Sequence, residues 1–211
     1  LRPKRCNRAE HVLTKQELCV KLELSIAVQM PEGGQMAQAS VVERVIGAAR
    51  LDPRAYEDVE RDEAATGTAL AIVVLVAIAS GIGNLGNNGV IGLIVGVIVG
   101  VIGFVLYAGI AYLVGAKLFA TAETKATWGQ LIRTLGFAQA PGILYVLGIL
   151  PAVGGLIRFV VGVWILVASI IAIRQACDFS TGRAVLTAVV AWIIYFIFVA
   201  LPATVLALLV S

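Results

Sequence analysis

Beyond Thr66 the chain alternates between long apolar stretches and short polar interruptions, and the lengths of those stretches set the element count. A hydrocarbon core of about 30 Å takes about 20 helical residues per crossing. Five stretches reach or approach that length, at 67–83, 90–115, 131–150, 153–173 and 184–210. The first is short enough to begin a few residues earlier, and the second and fifth are long enough to tilt or to project past the hydrocarbon. The pattern predicts an all-α polytopic membrane protein with five transmembrane helices over 66–211 and its termini on opposite sides.

Residues 36–65 carry a different pattern. Ser40 and Glu43 stand at capping-box spacing, in which each side chain satisfies a free N–H at a helix start. Val41, Val42, Val45, Ile46 and Ala49 then fall on one stripe at helical spacing, opposite Glu43, Arg44 and Arg50. Asp52-Pro53 ends this helix and starts another, because Asp caps and Pro suits the first helical position. The second helix, through Tyr56 and Val59, places Arg54 one turn from Asp58 and Glu57 one turn from Arg61, pairs worth about 0.3 kcal/mol each. Such helices lie on a membrane surface, fold back on the bundle, or receive a partner. The acidic run Glu57, Asp58, Glu60, Asp62 and Glu63 opposes anionic lipid, so a protein partner fits that end better.

Residues 1–35 lack the ordered basic, apolar and small-residue regions of a signal peptide. Glu32-Gly33-Gly34-Gln35-Met36 is what a purine-rich ribosome-binding sequence ahead of a start codon would encode, so 1–35 reads as a non-native, disordered upstream extension, with the start at Met36. On that reading Cys6, Cys19 and His11 stand outside the native protein.

Composition agrees with the pattern. The chain is 60% hydrophobic and 14% charged, with a mean hydropathy of +0.96, far too apolar for a soluble domain of this length. Ten of its sixteen Lys and Arg and eleven of its thirteen Asp and Glu precede Thr66. Lys and Arg in short loops favour the cytoplasmic side. Arg50, Arg54 and Arg61 precede the first crossing; Lys117, Lys125 and Arg133 lie between the second and third, and Arg174 and Arg183 between the fourth and fifth. The loops at 84–89 and 151–152 carry no charge. This places the N-terminus in the cytoplasm and the C-terminus outside, with only Arg158 on the contrary side, and with the ribosome-binding reading of residues 32–36 the expected location is the cytoplasmic membrane of a prokaryote.

Within the crossings, Gly92, Gly96 and Gly100 recur every fourth residue and make a smooth ridge for helix packing in the bundle or for homodimerisation. Pro141 and Pro202 each remove a backbone donor and predict kinks. No Asp, Glu or His stands in the middle of a crossing, which disfavours ion-coupled transport. Arg133 and Arg158 sit near helix ends as interface anchors. Ser80 has no histidine partner in the membrane domain, and no HExxH or phosphate loop is present, so the expectation is a non-enzyme without cofactor or metal. Basic patches interleaved with aromatics are also missing, so no nucleic acid is expected. Cys177 reads as a free thiol at a helix end, with acylation as the alternative.

What remains distinctive is two loop-proximal stretches. Thr127 and Gln130 form a second capping box beside Trp128, leading into Arg133-Thr134-Leu135-Gly136-Phe137-Ala138-Gln139-Ala140-Pro141. After the fourth crossing stands Ala172-Ile173-Arg174-Gln175-Ala176-Cys177-Asp178, then Arg183. Arg133, Gln139, Pro141, Arg174, Gln175, Asp178 and Arg183 are the residues expected to organise a cytoplasmic face, either as an interaction surface or as a network that holds the loops.

These stretches resemble the Yip1 domain family, whose prokaryotic members share a motif like Arg-x-x-Gly-x-Ala-x-x-Pro followed by Ala-x-Arg-Gln-Ala. The segment Tyr56-Glu57-Asp58-Val59-Glu60-Arg61-Asp62 is similar to the region before the first helix in those members, and the likeness runs from Met36 onward. The resemblance implies five transmembrane helices with a cytoplasmic N-terminus. Eukaryotic members bind small Rab-type GTPases in vesicle traffic; the segment here is shorter and more acidic, and no catalytic residue carries over. The expectation is a scaffold or adaptor in contact with the lipid bilayer, presenting residues 40–65 and two inner loops to a cytoplasmic protein partner. The alternatives are a small-solute or lipid transporter, and curvature sensing by the first amphipathic helix.

Overall fold

The computed structural model describes residues 40–120, 124, 126–202 and 204–205. The expected extension at 1–35 and the start at Met36 lie outside the described residues. Every described element is helical. Helices α1 (Val41–Ala49) and α2 (Pro53–Arg61) form a short hairpin. The Ser40 capping box is complete: the Ser40 N–H donates to Glu43 Oε2 at 2.8 Å and the Glu43 N–H to Ser40 Oγ at 3.3 Å. Asp52 caps α2 by accepting from the Arg54 N–H at 3.0 Å. Leu51, between them, has φ 65, the left-handed backbone that closes the turn.

The rest is apolar helix. α3 (Ala65–Gly83) buries Ala65, Ala69, Ile72, Val73, Val76 and Ala79 along one face and leaves Leu70, Val74, Leu75 and Ile78 exposed. A helix that is apolar all round and turns large residues outward suits lipid on that side. α4 (Leu85–Leu113) contains Gly89 at φ 61, ψ −169, a conformation strained for any residue with a Cβ. The charge-free loop expected at 84–89 is therefore a helical turn broken at Gly89, and the membrane-length helix runs Gly89–Leu118. It ends in a π turn (Val114–Leu118), with the Phe119 N–H donating to the Val114 carbonyl at 2.9 Å.

The third stretch follows the Pro141 expectation closely. α5 (Trp128–Ala138) and a 3₁₀ segment (Ala140–Ile149) meet at a 41° bend. Pro141 has no N–H to return to the preceding turn, and the chain tightens instead, with the Gly142 N–H donating to the Gln139 carbonyl at 2.7 Å. α6 (Gly154–Ala176) and α7 (Thr181–Tyr195) follow, and α7 widens into a π turn (Phe196–Ala200) just before Pro202. The Leu201 N–H reaches back to the Phe196 carbonyl there, so the disturbance associated with Pro202 is a widened turn on its N-terminal side.

Among the described residues four helices are individually long and apolar enough to cross a membrane, and α5 with the 3₁₀ segment makes a fifth where the bent pair is one span. α3, α4, α7 and α6 follow one another around a ring, each packed on the next. The 3₁₀ segment wedges between α3 and α6, while α4 and α6 face each other across the middle without extensive packing. Small residues carry the close approaches: a Cβ on Gly136 of α5 would lie 2.8 Å from the Ala69 Cβ of α3, the backbone proximity that dispersion between membrane helices requires. Ile91, Ile98, Leu156 and Phe159 are among the large side chains left on the outer surface.

Candidate docking face at the hairpin end

The α1–α2 hairpin packs along α5 and α6. Inside it, the Tyr56 hydroxyl donates to the Ala48 carbonyl at 2.9 Å, and burial raises the Tyr56 pKa. α1 meets α2 through its small residues, since a Cβ on Gly47 would stand 2.7 Å from the Ala55 Cβ. That choice rotates α1 away from the arrangement its apolar stripe predicted. Arg44, expected on the outer polar face, is only 7% exposed, while Val41, Val42 and Ile46 are 51%, 64% and 45% exposed. The cause is Asp62, whose Oδ2 accepts from Arg44 Nη1 at 2.6 Å across the hairpin. This hydrogen bond lowers the Asp62 pKa below its ordinary value. Of the two pairs expected along α2, Glu57 and Arg61 come within 4.0 Å, and Arg54 forms no ion pair with Asp58.

Arg133 joins the hairpin to the bundle. Its Nε donates to the Val59 carbonyl at 3.2 Å, its Nη2 to the Glu60 carbonyl at 2.6 Å, and its Nη1 to Thr66 Oγ1 at 3.4 Å. Those carbonyls belong to the last turn of α2, where no intrahelical donor remains and the helix dipole favours a cation. The forked guanidinium reaches both at once, so α5 supplies the C-terminal cap of α2. One turn earlier, Gln130 does two jobs with one amide. Its Oε1 accepts from the Thr127 N–H at 2.6 Å in the capping box, and its Nε2 donates to Glu60 Oε1 at 2.9 Å. From α6, Gln175 Nε2 donates to Glu57 Oε1 at 2.7 Å, and Trp164 Nε1, halfway along the helix, donates to the Ala49 carbonyl at 2.8 Å. The hairpin thus lies along half of α6 as well as at its end.

Burial, then the charge of Asp178, raises the Glu60 pKa above the ordinary carboxylate value. Cys177 lies fully buried at the end of α6. Its thiol is pushed up to about 12, chiefly by burial and then by Glu60 and Asp178.

The seven residues singled out by sequence do not form one patch. Arg133 and Gln175 hold the hairpin. Gln139 and Pro141 form the α5 bend, with Pro141 buried and Gln139 half-buried against an interior cavity. Arg174, Asp178 and Arg183 make no side-chain hydrogen bond or ion pair among the described residues; Asp178, at φ 52, and Arg183 are exposed at the α6–α7 turn. Glu60, Arg44 and Trp164 were not singled out, because each depends on a partner distant in sequence; Gln130 was legible only as a cap. At the opposite end, Arg158 Nη2 donates to the Gly83 and Gly148 carbonyls at 2.7 and 2.9 Å, closing the C-terminal ends of α3 and the 3₁₀ segment together. On the glycine ridge, Gly92 is half-buried, Gly100 approaches the Ala77 Cβ, and a Cβ on Gly96 would meet open space.

The pieces named by the two sequence motifs therefore converge physically: the Arg133 stretch and the Arg174-Gln175 stretch both clasp the segment before the first membrane helix. Comparison with family models matches the Yip1 domain over residues 50–201. No curated protein and no solved structure matches the chain. The matched span includes α2, the first four apolar stretches, most of the fifth and both clasping motifs, and the chain belongs to the Yip1 domain family as a multi-pass membrane protein.

Proposed function

We propose that this protein is a non-enzymatic scaffold of a prokaryotic cytoplasmic membrane, which holds the α1–α2 hairpin on the cytoplasmic side for a protein partner. The basic residues in the loops at the hairpin end support that orientation. The observation that carries the reading is the fixed seating of the hairpin by side chains from two other helices, Arg133 and Gln130 on α5 and Gln175 and Trp164 on α6. Seating leaves Arg54, Asp58 and Arg61 of α2 exposed on the same end as Asp178 and Arg183. A charged surface already ordered before binding loses little conformational entropy when a partner arrives, and mixed charge of this kind selects a partner and sets its register.

The test is in-cell crosslinking with mass spectrometry at matched expression, comparing wild type with Asp58→Arg/Asp178→Ala, both exposed substitutions. A cytoplasmic protein captured by wild type and lost in the variant supports the scaffold. Capture limited to the chain itself, or a partner set unchanged by the variant, refutes it.

A further inference from the structure

A cavity of about 350 Å³ lies in the ring between α4 and α6, which do not pack extensively there, with α3, the α5 bend, the 3₁₀ segment and α7 completing its wall. Most of its wall is apolar, from Val73, Phe104 and Ile165 among others, and no charged residue lines it. Six polar side chains do: Ser80, Tyr107, Gln139, Tyr145, Ser169 and Tyr195. None of the six has a side-chain hydrogen-bond partner among the described residues. Two hydroxyls are placed by glycines, which leave them room. A Cβ on Gly103 would stand 2.6 Å from the Tyr195 hydroxyl, and one on Gly162 would stand 3.6 Å from the Tyr145 hydroxyl. The Tyr107 ring meets the Tyr195 ring edge-on at 6.0 Å between centroids.

Polar groups in the hydrocarbon zone without partners cost free energy, and where they persist they mark a site. An apolar chamber with a few convergent hydrogen-bonding groups is the usual form of a small-molecule pocket. The wall also states which side the ligand comes from. Leu166 and Trp192 line the cavity, are 42% and 53% exposed, and stand near the middle of membrane-length helices, so an opening beside them faces lipid rather than water. The lining residues on α4 and α6, Gly100–Tyr107 and Gly162–Ser169, sit in the middle portions of those helices.

We infer that this cavity binds a membrane lipid with a small, uncharged, hydrogen-bonding head, its hydroxyl or carbonyl oxygens engaging Tyr145 and Tyr195 and its tail lying along the Leu166–Trp192 rim. An anionic headgroup is disfavoured because no cation is present to offset its burial. A freely soluble solute is disfavoured by the lateral opening. Two sources share this chemistry, a diacylglycerol and an isoprenoid quinone. The inference is independent of the scaffold reading, since no hairpin residue lines the cavity.

The test uses the full chain in nanodiscs with three photoactivatable probes: a diacylglycerol, a short-chain quinone and a phosphatidylglycerol. One neutral probe should label peptides lining the cavity, saturably and in competition with its unlabelled form, and which probe does so identifies the source. Tyr145→Phe/Tyr195→Phe should cut the affinity read from that labelling roughly thirtyfold, as expected for losing two hydrogen bonds of about 1 kcal/mol each, while thermal stability is retained. Gly162→Leu, whose Cβ is tolerated and whose side chain fills the chamber, should abolish it. Neutral probes that label the outer belt at Ile98 and Phe159 as strongly as the cavity overturn the inference. So does labelling unchanged in both variants, or phosphatidylglycerol competing as well as the neutral lipid.

Discussion

Arg133 Nη2 and the Glu60 carbonyl oxygen stand 2.6 Å apart across 73 residues of sequence, and through that contact a transmembrane-region arginine becomes the terminal cap of a helix outside the apolar core. Arg133→Ala would leave the Val59 and Glu60 carbonyls without donors in a buried setting. The expected cost is about 3 kcal/mol, the sum of two charge-assisted hydrogen bonds. Arg133→Lys keeps the charge but offers no fork, and should recover part of that cost. Trypsin accessibility of Arg54 and Arg61 in nanodiscs, read beside the thermal midpoint, measures both. Equal protection in wild type and Arg133→Ala would show that the hairpin does not depend on this clasp.

The two carboxylates nearest the clasp titrate in opposite senses. Asp62 has its pKa lowered by Arg44, so its stabilisation is complete above the ordinary carboxylate range and is lost as pH falls through the lowered value. Glu60 has its pKa raised by burial, so the folded chain holds that proton more tightly than the unfolded chain, and stability falls as pH rises through the raised value. Hairpin seating should therefore be firmest between the lowered Asp62 value and the raised Glu60 value, and weaken on either side. Glu60→Gln, which keeps a hydrogen-bonding amide opposite Gln130, should raise the thermal midpoint at pH 7.5 and flatten the decline on the alkaline side. Asp62→Asn should lower the midpoint at neutral pH and remove the acid-side loss. A Glu60→Gln variant less stable than wild type at pH 7.5 would contradict the assignment.

The membrane helices were legible because bilayer thickness converts directly into run length, and Pro141 was legible because a missing donor has one local consequence. α1 was legible as a helix from its capping box, but the face it turns inward was not, and Arg44 shows why. Its apolar stripe was read correctly as periodicity, but which face turns inward was decided by Asp62, eighteen residues on, and by the room that Gly47 leaves for Ala55. The central cavity was invisible for a related reason. Tyr145 and Tyr195 look like ordinary bundle residues until the ring order of the helices sets their hydroxyls over Gly162 and Gly103.

Glycines that look alike in sequence should respond in opposite directions. A Cβ on Gly136 would meet the Ala69 Cβ at 2.8 Å and its carbonyl oxygen at 3.0 Å, and backbone cannot move aside as a flexible side chain can. Gly136→Ala should cost about 2 kcal/mol by overpacking. A Cβ on Gly96 meets nothing, so Gly96→Ala should be neutral or gain up to about 0.8 kcal/mol from helix propensity. Thermal midpoints in detergent separate the two. If Gly96→Ala instead abolishes a self-crosslink between copies, its open ridge is a dimer surface.

Cys177 is the final test of how the hairpin end is packed. It is fully buried and lies against Gly115, where a Cβ would stand 3.3 Å from its sulfur. Its thiol is pushed from an ordinary 9.0 to about 12, so at neutral pH it carries roughly a thousandfold less thiolate than an exposed cysteine. With Cys6 and Cys19 replaced by Ser, maleimide labelling of the folded protein should be negligible and should appear in full on denaturation. Asp178→Ala removes the least of the three causes and should leave labelling slow. Arg133→Ala, if it releases the hairpin, should expose the end of α6 and accelerate the reaction, which would tie the buried thiol to the same clasp that seats Glu60. Rapid labelling of the intact protein would mean that the α6–α7 turn opens, and the same opening would make Cys177 available for acylation.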